Sequence, residues 1–155
     1  MAADLGAAAS GRPEGVNASS WGGIAETELA EALAAQSTLL ALPADAVLFR
    51  QGDAPQSVFL LKSGEVDLIM LSSEDEPVMT ARAAAGAVLG LSALLSQKPY
   101  AMTGKARVDV EVHAIGEQQF HGLMERNPRA ALQALQVLAA ETHLALEALA
   151  RRAQS

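Results

Sequence analysis

The sequence predicts a mainly β domain with flanking helices: a β-roll or barrel, with a short N-terminal helix and a long C-terminal helix. Three observations predict it. Between Leu39 and Ile115 the chain divides into short apolar or alternating runs punctuated by turn residues, the mark of closely spaced strands. After Pro128 the apolar residues change to 3- and 4-residue steps and hold them to about Arg152, the spacing of one helix face. Ahead of Leu39, Ile24, Leu29 and Leu33 repeat at helical spacing on a shorter scale.

Residues 1–18 are rich in Ala, Gly and Ser and carry Gly6, Gly11, Pro13 and Gly15 as breakers. They read as a disordered tail, dispensable for folding, before a single domain at 19–155. Ser19 or Ser20 is expected to cap the first helix, with Glu26 and Glu28 near its positive end, and the helix to stop before Pro43. The β runs are Leu39–Leu42, Ala46–Phe49, Ser57–Lys62, Val66–Leu71, Val78–Ala83, Lys105–Val108 and Val110–Ile115. Gly52-Asp53 and Ser63-Gly64 turn the chain, and the polar run Ser72–Pro77 reads as a hairpin tip. The stretch Gly86–Thr103 is too punctuated by glycine for a strand and reads as an inserted loop with one helical turn, Leu91–Leu95. Glu117–Glu125 form a short helix, and Pro128 starts the long one at its permitted first position.

A chain of 155 residues suits one hydrophobic core. Half of it is apolar, yet Trp21, Phe49, Phe59, Tyr100 and Phe120 are its only aromatics, so Ala, Leu and Val must fill that core. A net charge of -7 opposes the electrostatic contribution that dominates non-specific nucleic-acid binding, and no nucleic-acid partner is expected. The absence of cysteine removes disulfides, thiolate nucleophiles and Cys-based metal sites. The first eighteen residues lack a signal-peptide pattern, and no segment reaches the ~20 apolar residues needed to span a bilayer. A cytoplasmic protein with no membrane insertion is expected.

The stretch LPADAVLFRQGDAPQSVFLLKSGEVDLIM, Leu42–Met70, resembles the opening of the cyclic-nucleotide-binding domain family, with Gly52-Asp53 and Ser63-Gly64-Glu65-Val66 at that family's turns. The stretch GAVLGLSALLSQKPYAMT, Gly86–Thr103, is similar to its phosphate-binding cassette, matching at Gly86, Gly90, Ala93, Leu94, Leu95, Pro99 and Thr103. The resemblance implies a catabolite-activator-like β-roll, or double-stranded jelly roll, and a ligand pocket at Gly90, Leu91, Ser92, Ala93, Tyr100, Ala101 and Thr103. In such a cassette a Gly lets backbone N–H groups approach a cyclic phosphate, an Arg neutralises its charge, and a Glu accepts the ribose hydroxyl. Here Leu91 stands at the Glu position and Tyr100 at the Arg position, so the cassette is read as degenerate. Replacing a bidentate cation by a phenol forfeits about 1.5 to 3 kcal/mol, a tenfold loss or more. Where the resembling regulators offer polar helix side chains to the purine, this chain has Ala145-Leu146. It ends at Ser155, where those regulators continue into a helix-turn-helix domain, so this chain alone is not expected to act as a transcription factor of that design.

Other groups admit a functional and a plain reading. Arg82 and Lys98 would serve as substitute cations for an anionic ligand, but read as solvated surface charges. His113, His121 and His143 bring haem or metal to mind, yet their wide separations without Cys or paired carboxylates leave them as packing or surface histidines. Glu74-Asp75-Glu76 read as a solvated hairpin tip. No catalytic residues, cofactor or metal site is expected, because no Ser/His/Asp grouping, phosphate-cradling loop or HExxH motif is present. The long helix carries one seam at Leu135, Leu138, Thr142, Ala145 and Leu149 and a second stripe at Val137, Ala140, Leu144 and Ala148. A small roll covers one side of a peripheral helix, so the seam is read as an interface, in a homodimer or with another protein subunit. The expected function is a non-enzymatic regulatory or docking subunit. The alternative is a sensor of a nucleotide or other small anionic ligand in the altered cassette.

Overall fold

The structure, a computed structural model, describes residues 15–16 and 27–153. In chain order the elements are β1 (Gly15–Val16), α1 (Glu28–Ala35), β2 (Thr38–Leu42), β3 (Val47–Phe49), β4 (Ser57–Ser63), β5 (Glu65–Leu71), β6 (Pro77–Ala84) and β7 (Val88–Leu89). Then follow α2 (Leu91–Ser96), β8 (Thr103–Ala106), β9 (Val110–Gly116), α3 (Glu117–Arg126) and α4 (Pro128–Ala153). The strands form two facing sheets, ordered β1-β6-β5-β8-β3 and β2-β9-β4-β7. All pairings are antiparallel except that of Gly15–Val16, which lie parallel to Thr80–Ala81. This is the expected β-roll with flanking helices. Of the expected tail, residues other than 15–16 lie outside the described residues, as do Ser19 and Ser20.

Local chemistry accounts for the turns. Gly64, between β4 and β5, has φ +91, and a Cβ there would stand 2.6 Å from the Asp109 carbonyl oxygen, so only glycine closes this hairpin. At the β5–β6 tip the Ser72 hydroxyl accepts N–H bonds from Glu74 and Glu76. That turn chemistry favours serine and leaves the acidic side chains exposed. Along β6 the side chains alternate, with Met79, Ala81 and Ala83 buried and their neighbours partly exposed, the period of a sheet with one covered face.

The helices close the roll. Thr27 caps α1 by accepting the Ala30 N–H at 3.1 Å, and Leu29 and Leu33 enter the core fully buried. The Leu29 N–H donates to Gln133 Oε1 at 2.8 Å, tying α1 to α4. Asn127 Oδ1 accepts the Ala130 N–H at 3.0 Å, capping α4 just ahead of Pro128. Ala130, Ala134 and Ala148 are buried in the core, their small side chains letting the helix lie close.

Three β segments differ from the sequence reading. Gly15–Val16, inside the stretch read as a disordered tail, form β1 by pairing with Thr80–Ala81. Val88–Leu89 form β7, paired with Leu60 and Phe59, in a stretch read as loop. The segment expected at Lys105–Val108 is Thr103–Ala106, and Val108 is exposed at 43%. The chain turns there because Asp109 Oδ1 accepts the Ala44 N–H and Arg107 faces Glu65 and Asp67.

Candidate functional site

Pocket geometry begins at Gly90, where the chain leaves β7 and enters α2. Its φ is +86, and a Cβ would lie 3.0 Å from the Ser57 carbonyl oxygen and 3.2 Å from the Tyr100 ring, so glycine is demanded by both conformation and space. Ala93 and Leu94 of α2 pack inward, Ser92 faces out, and Gln97 ends the helix in the left-handed region. The chain then returns through Tyr100, whose N–H donates to the Asp53 carbonyl at 3.0 Å while its own carbonyl accepts the Gly52 N–H at 2.8 Å.

The two altered positions are structural parts of this pocket. Leu91 is 1% exposed and forms wall. Tyr100 is buried, with its ring stacked on Phe49 at 4.6 Å between centroids. Its hydroxyl donates to the Ser57 carbonyl at 2.8 Å and accepts the N–H groups of Ser57 and Gln56 at 3.0 and 3.1 Å. That uses the hydroxyl's whole capacity of one donor and two acceptors. Tyr100→Phe should therefore leave two backbone N–H groups short of an acceptor and lower stability by about 1 to 3 kcal/mol, read from the denaturant midpoint.

Between the roll and α4 lies a cavity of about 140 Å³ whose lining includes Phe49, Met70, Leu89, Leu91 and Met102 from the roll side. Of the residues expected at the pocket, Gly90, Leu91, Ser92, Ala93, Tyr100 and Ala101 line it, and Thr103 does not. Thr103 instead accepts the Gln51 N–H through its hydroxyl at 3.0 Å. From α4 the lining takes Leu138, Glu141, Thr142 and Ala145.

Glu141 was not anticipated. It is 8% exposed, the one buried charged residue among those described, and its Oε2 has no hydrogen-bond partner there. Burial, which disfavours the charged form, pushes its pKa up to about 8. The sequence signal was its place seven residues from both Ala134 and Ala148, on the helix face turned to the roll.

The expected interface residues separate into two groups. Leu138 and Ala145 are half-buried and face the cavity, which corrects their assignment to an outward seam. Leu135 and Leu149 are exposed at 55% and 36%, as are Leu132 at 56% and Leu146 at 61%. With Ala139 and Thr142, also exposed, the outward line runs 132, 135, 139, 142, 146, 149. Those strict 3-4 steps are the a/d pattern of a coiled-coil seam.

The other candidate groups lie elsewhere. Arg82 pairs with Asp67 at 3.4 Å and is only one-third exposed, rather than standing free in solvent as expected, and Lys98 is exposed. His113 shares a hydrogen bond with Ser37 at 2.9 Å, and His121 and His143 stand 3.9 and 3.2 Å from Glu117 and Glu147. No cluster of three His, Asp or Glu side chains suited to a metal occurs among the described residues. No helix among them is long and apolar enough to cross a membrane.

The profile of the cyclic nucleotide-binding domain matches residues 39–127, from β2 through the cassette to the end of α3. The chain belongs to that family. A cAMP-dependent protein kinase regulatory subunit from Emericella nidulans is 34% identical over 82 residues, covering 53% of this chain and 19% of that protein. This cyclic nucleotide-binding domain therefore spans less than a fifth of that relative's length. Among solved structures, a c-di-GMP responsive global regulator from Xanthomonas campestris superposes with a TM-score of 0.68 at 19% identity, over 81% of this chain and 62% of that one. The catabolite activator protein of Thermus thermophilus gives 0.67 at 25% identity, over 79% and 59%. These likenesses carry the fold of the cyclic nucleotide-binding domain.

Proposed function

We propose that this cyclic nucleotide-binding domain is a non-catalytic regulatory element whose cassette no longer takes cAMP or cGMP and which acts through protein contacts of α4, with a second copy of the chain as partner. The observation that carries the reading is the outward seam of α4, with Leu132, Leu135, Leu146 and Leu149 exposed on one line. Parallel in-register pairing of two such helices sets leucine on leucine and alanine on alanine, and no charged side chain falls at an a or d position. The regulatory character of the kinase subunit and of the bacterial regulators supports the same class of role, and the lack of catalytic groupings in the sequence supports a non-enzyme. A cytoplasmic location accompanies this reading.

Light scattering tests it: a dimer at micromolar concentration is expected, and a monomer at every concentration overturns the pairing. The cassette half rests on Leu91 and Tyr100, which supply neither carboxylate nor cation. Calorimetry should show no binding of either cyclic nucleotide in the low micromolar range; a dissociation constant there overturns it. The lining argues against the alternative of another anionic ligand, because no lysine or arginine lines the cavity.

A further inference from the structure

We propose that the cavity between the roll and α4 binds a small organic amine, a molecule with an apolar body of about one ring and a single cationic hydrogen-bond donor, with Glu141 as its counter-ion. The site shares only Thr142 with the outward seam of α4, and its counter-ion Glu141 is buried and off that seam, so it stands whether or not two copies pair.

Size sets the body. A cavity of about 140 Å³ is of the order that accepts benzene in an apolar protein interior, roughly 150 Å³. The roll side presents Phe49, Met70, Met79 and Met102, together with aliphatic side chains, surface suited to a ring or short alkyl group and, through methionine, adaptable in shape.

Polarity sets the head. Glu141 lines the cavity, is 8% exposed, and keeps Oε2 buried without a partner among the described residues. A buried polar atom left unpaired is costly, and an ammonium placed on it converts that deficit into a charge-assisted hydrogen bond. The remaining lining groups do not compete. Tyr100 has its hydroxyl committed to Ser57 and Gln56, and the lining residues of β3, β5, β6, β7 and α2 carry no titratable side chain. On α4 itself, His143 and Glu147 pair with each other at the surface, and Arg82 of β6 is held by Asp67. An anion would find no cation in the lining, and once Glu141 is ionised it would face a like charge, so the ligand class inverts that of the family's usual pocket.

Because burial favours the protonated acid, seating a cation on the carboxylate releases a proton, and affinity for the amine should rise with pH toward 8. The test uses benzylamine, benzyl alcohol and benzoate as probes in calorimetry at pH 8.5, with oligomeric state read from the same samples. Benzylamine should bind at least tenfold more tightly than benzyl alcohol, and benzoate should not bind. Glu141→Gln, which keeps size and polarity, should erase the advantage of benzylamine over benzyl alcohol. At pH 7, binding of benzylamine to the wild type should release protons, seen as a heat that depends on the buffer. Binding of benzoate as tight as benzylamine, equal benzylamine affinity in Glu141→Gln, or no binding of any probe overturns the site. An unpaired monomer that still binds benzylamine through Glu141 overturns only the pairing.

Discussion

Glu141→Gln should make the protein more stable than the wild type at pH 8, and the gain should vanish near pH 4.5. In the unfolded chain the carboxyl ionises near 4.5, whereas in the fold burial raises its pKa to about 8. Below pH 4.5 both states hold the proton and the group has no differential effect. Between 4.5 and 8 the folded state binds more protons than the unfolded one, so wild-type stability falls as pH rises. The slope is about 1.4 kcal/mol per pH unit, reaching on the order of 4 to 5 kcal/mol by pH 8 and staying there above it. Glutamine has the same shape and no proton to lose, so the difference between the two proteins isolates the carboxyl from every other titrating group. Urea midpoints at half-unit steps from pH 4.5 to 9 measure it. A difference that does not change with pH would show that the carboxyl finds solvent or a partner in the folded protein.

The same residue shows why part of the site was hidden in the sequence. Burial of a helix position depends on which face meets the roll, and α4 offers two nearly equivalent phases. The line 135, 138, 142, 145, 149 and the line 132, 135, 139, 142, 146, 149 share Leu135, Thr142 and Leu149, and leucines flank both. Packing decides between them. The face at Ala130, Ala134 and Ala148 lies on the roll, which turns Leu138 and Ala145 inward and Leu132 and Leu146 outward. Glu141, beside Ala140 and Thr142 in the chain, reads as a surface charge until that phase is known. The strands were more legible because their signal is local: alternation along β6 and turn residues at Gly52, Gly64 and Ser72 do not depend on a distant partner. Where the signal was only two residues long, at Val88–Leu89 between glycines, pairing with β4 created a strand that the local sequence does not announce. Gly90, Leu91 and Tyr100 were legible through the resemblance to the family's cassette, but the use of the Tyr100 hydroxyl to fasten the start of β4 was not, since it joins residues 43 positions apart.

Thr142 lies both on the outward line and in the cavity lining, so the two proposed surfaces meet at one residue of α4 and charge can be placed on either side of it. Leu146→Glu should release folded monomers, because Leu146 is 61% exposed in the single chain and a charge there meets water when the helices part. Its own stability as a monomer should stay within about 0.5 kcal/mol, as for other surface changes. In the dimer the replacement removes one leucine from each copy, worth about 1.5 to 3 kcal/mol apiece, and sets two like charges across the seam. Dissociation should therefore rise at least a hundredfold. Leu135→Glu should behave alike. Leu138→Glu is the contrast: that side chain is half-buried on the cavity wall, so a charge there lowers the urea midpoint of the domain itself, at any concentration. Sedimentation at several concentrations together with urea melts reads both effects. If Leu146→Glu leaves the wild-type mass unchanged, α4 does not pair through this line. If it unfolds the chain as Leu138→Glu does, the outward face belongs to the domain's own core.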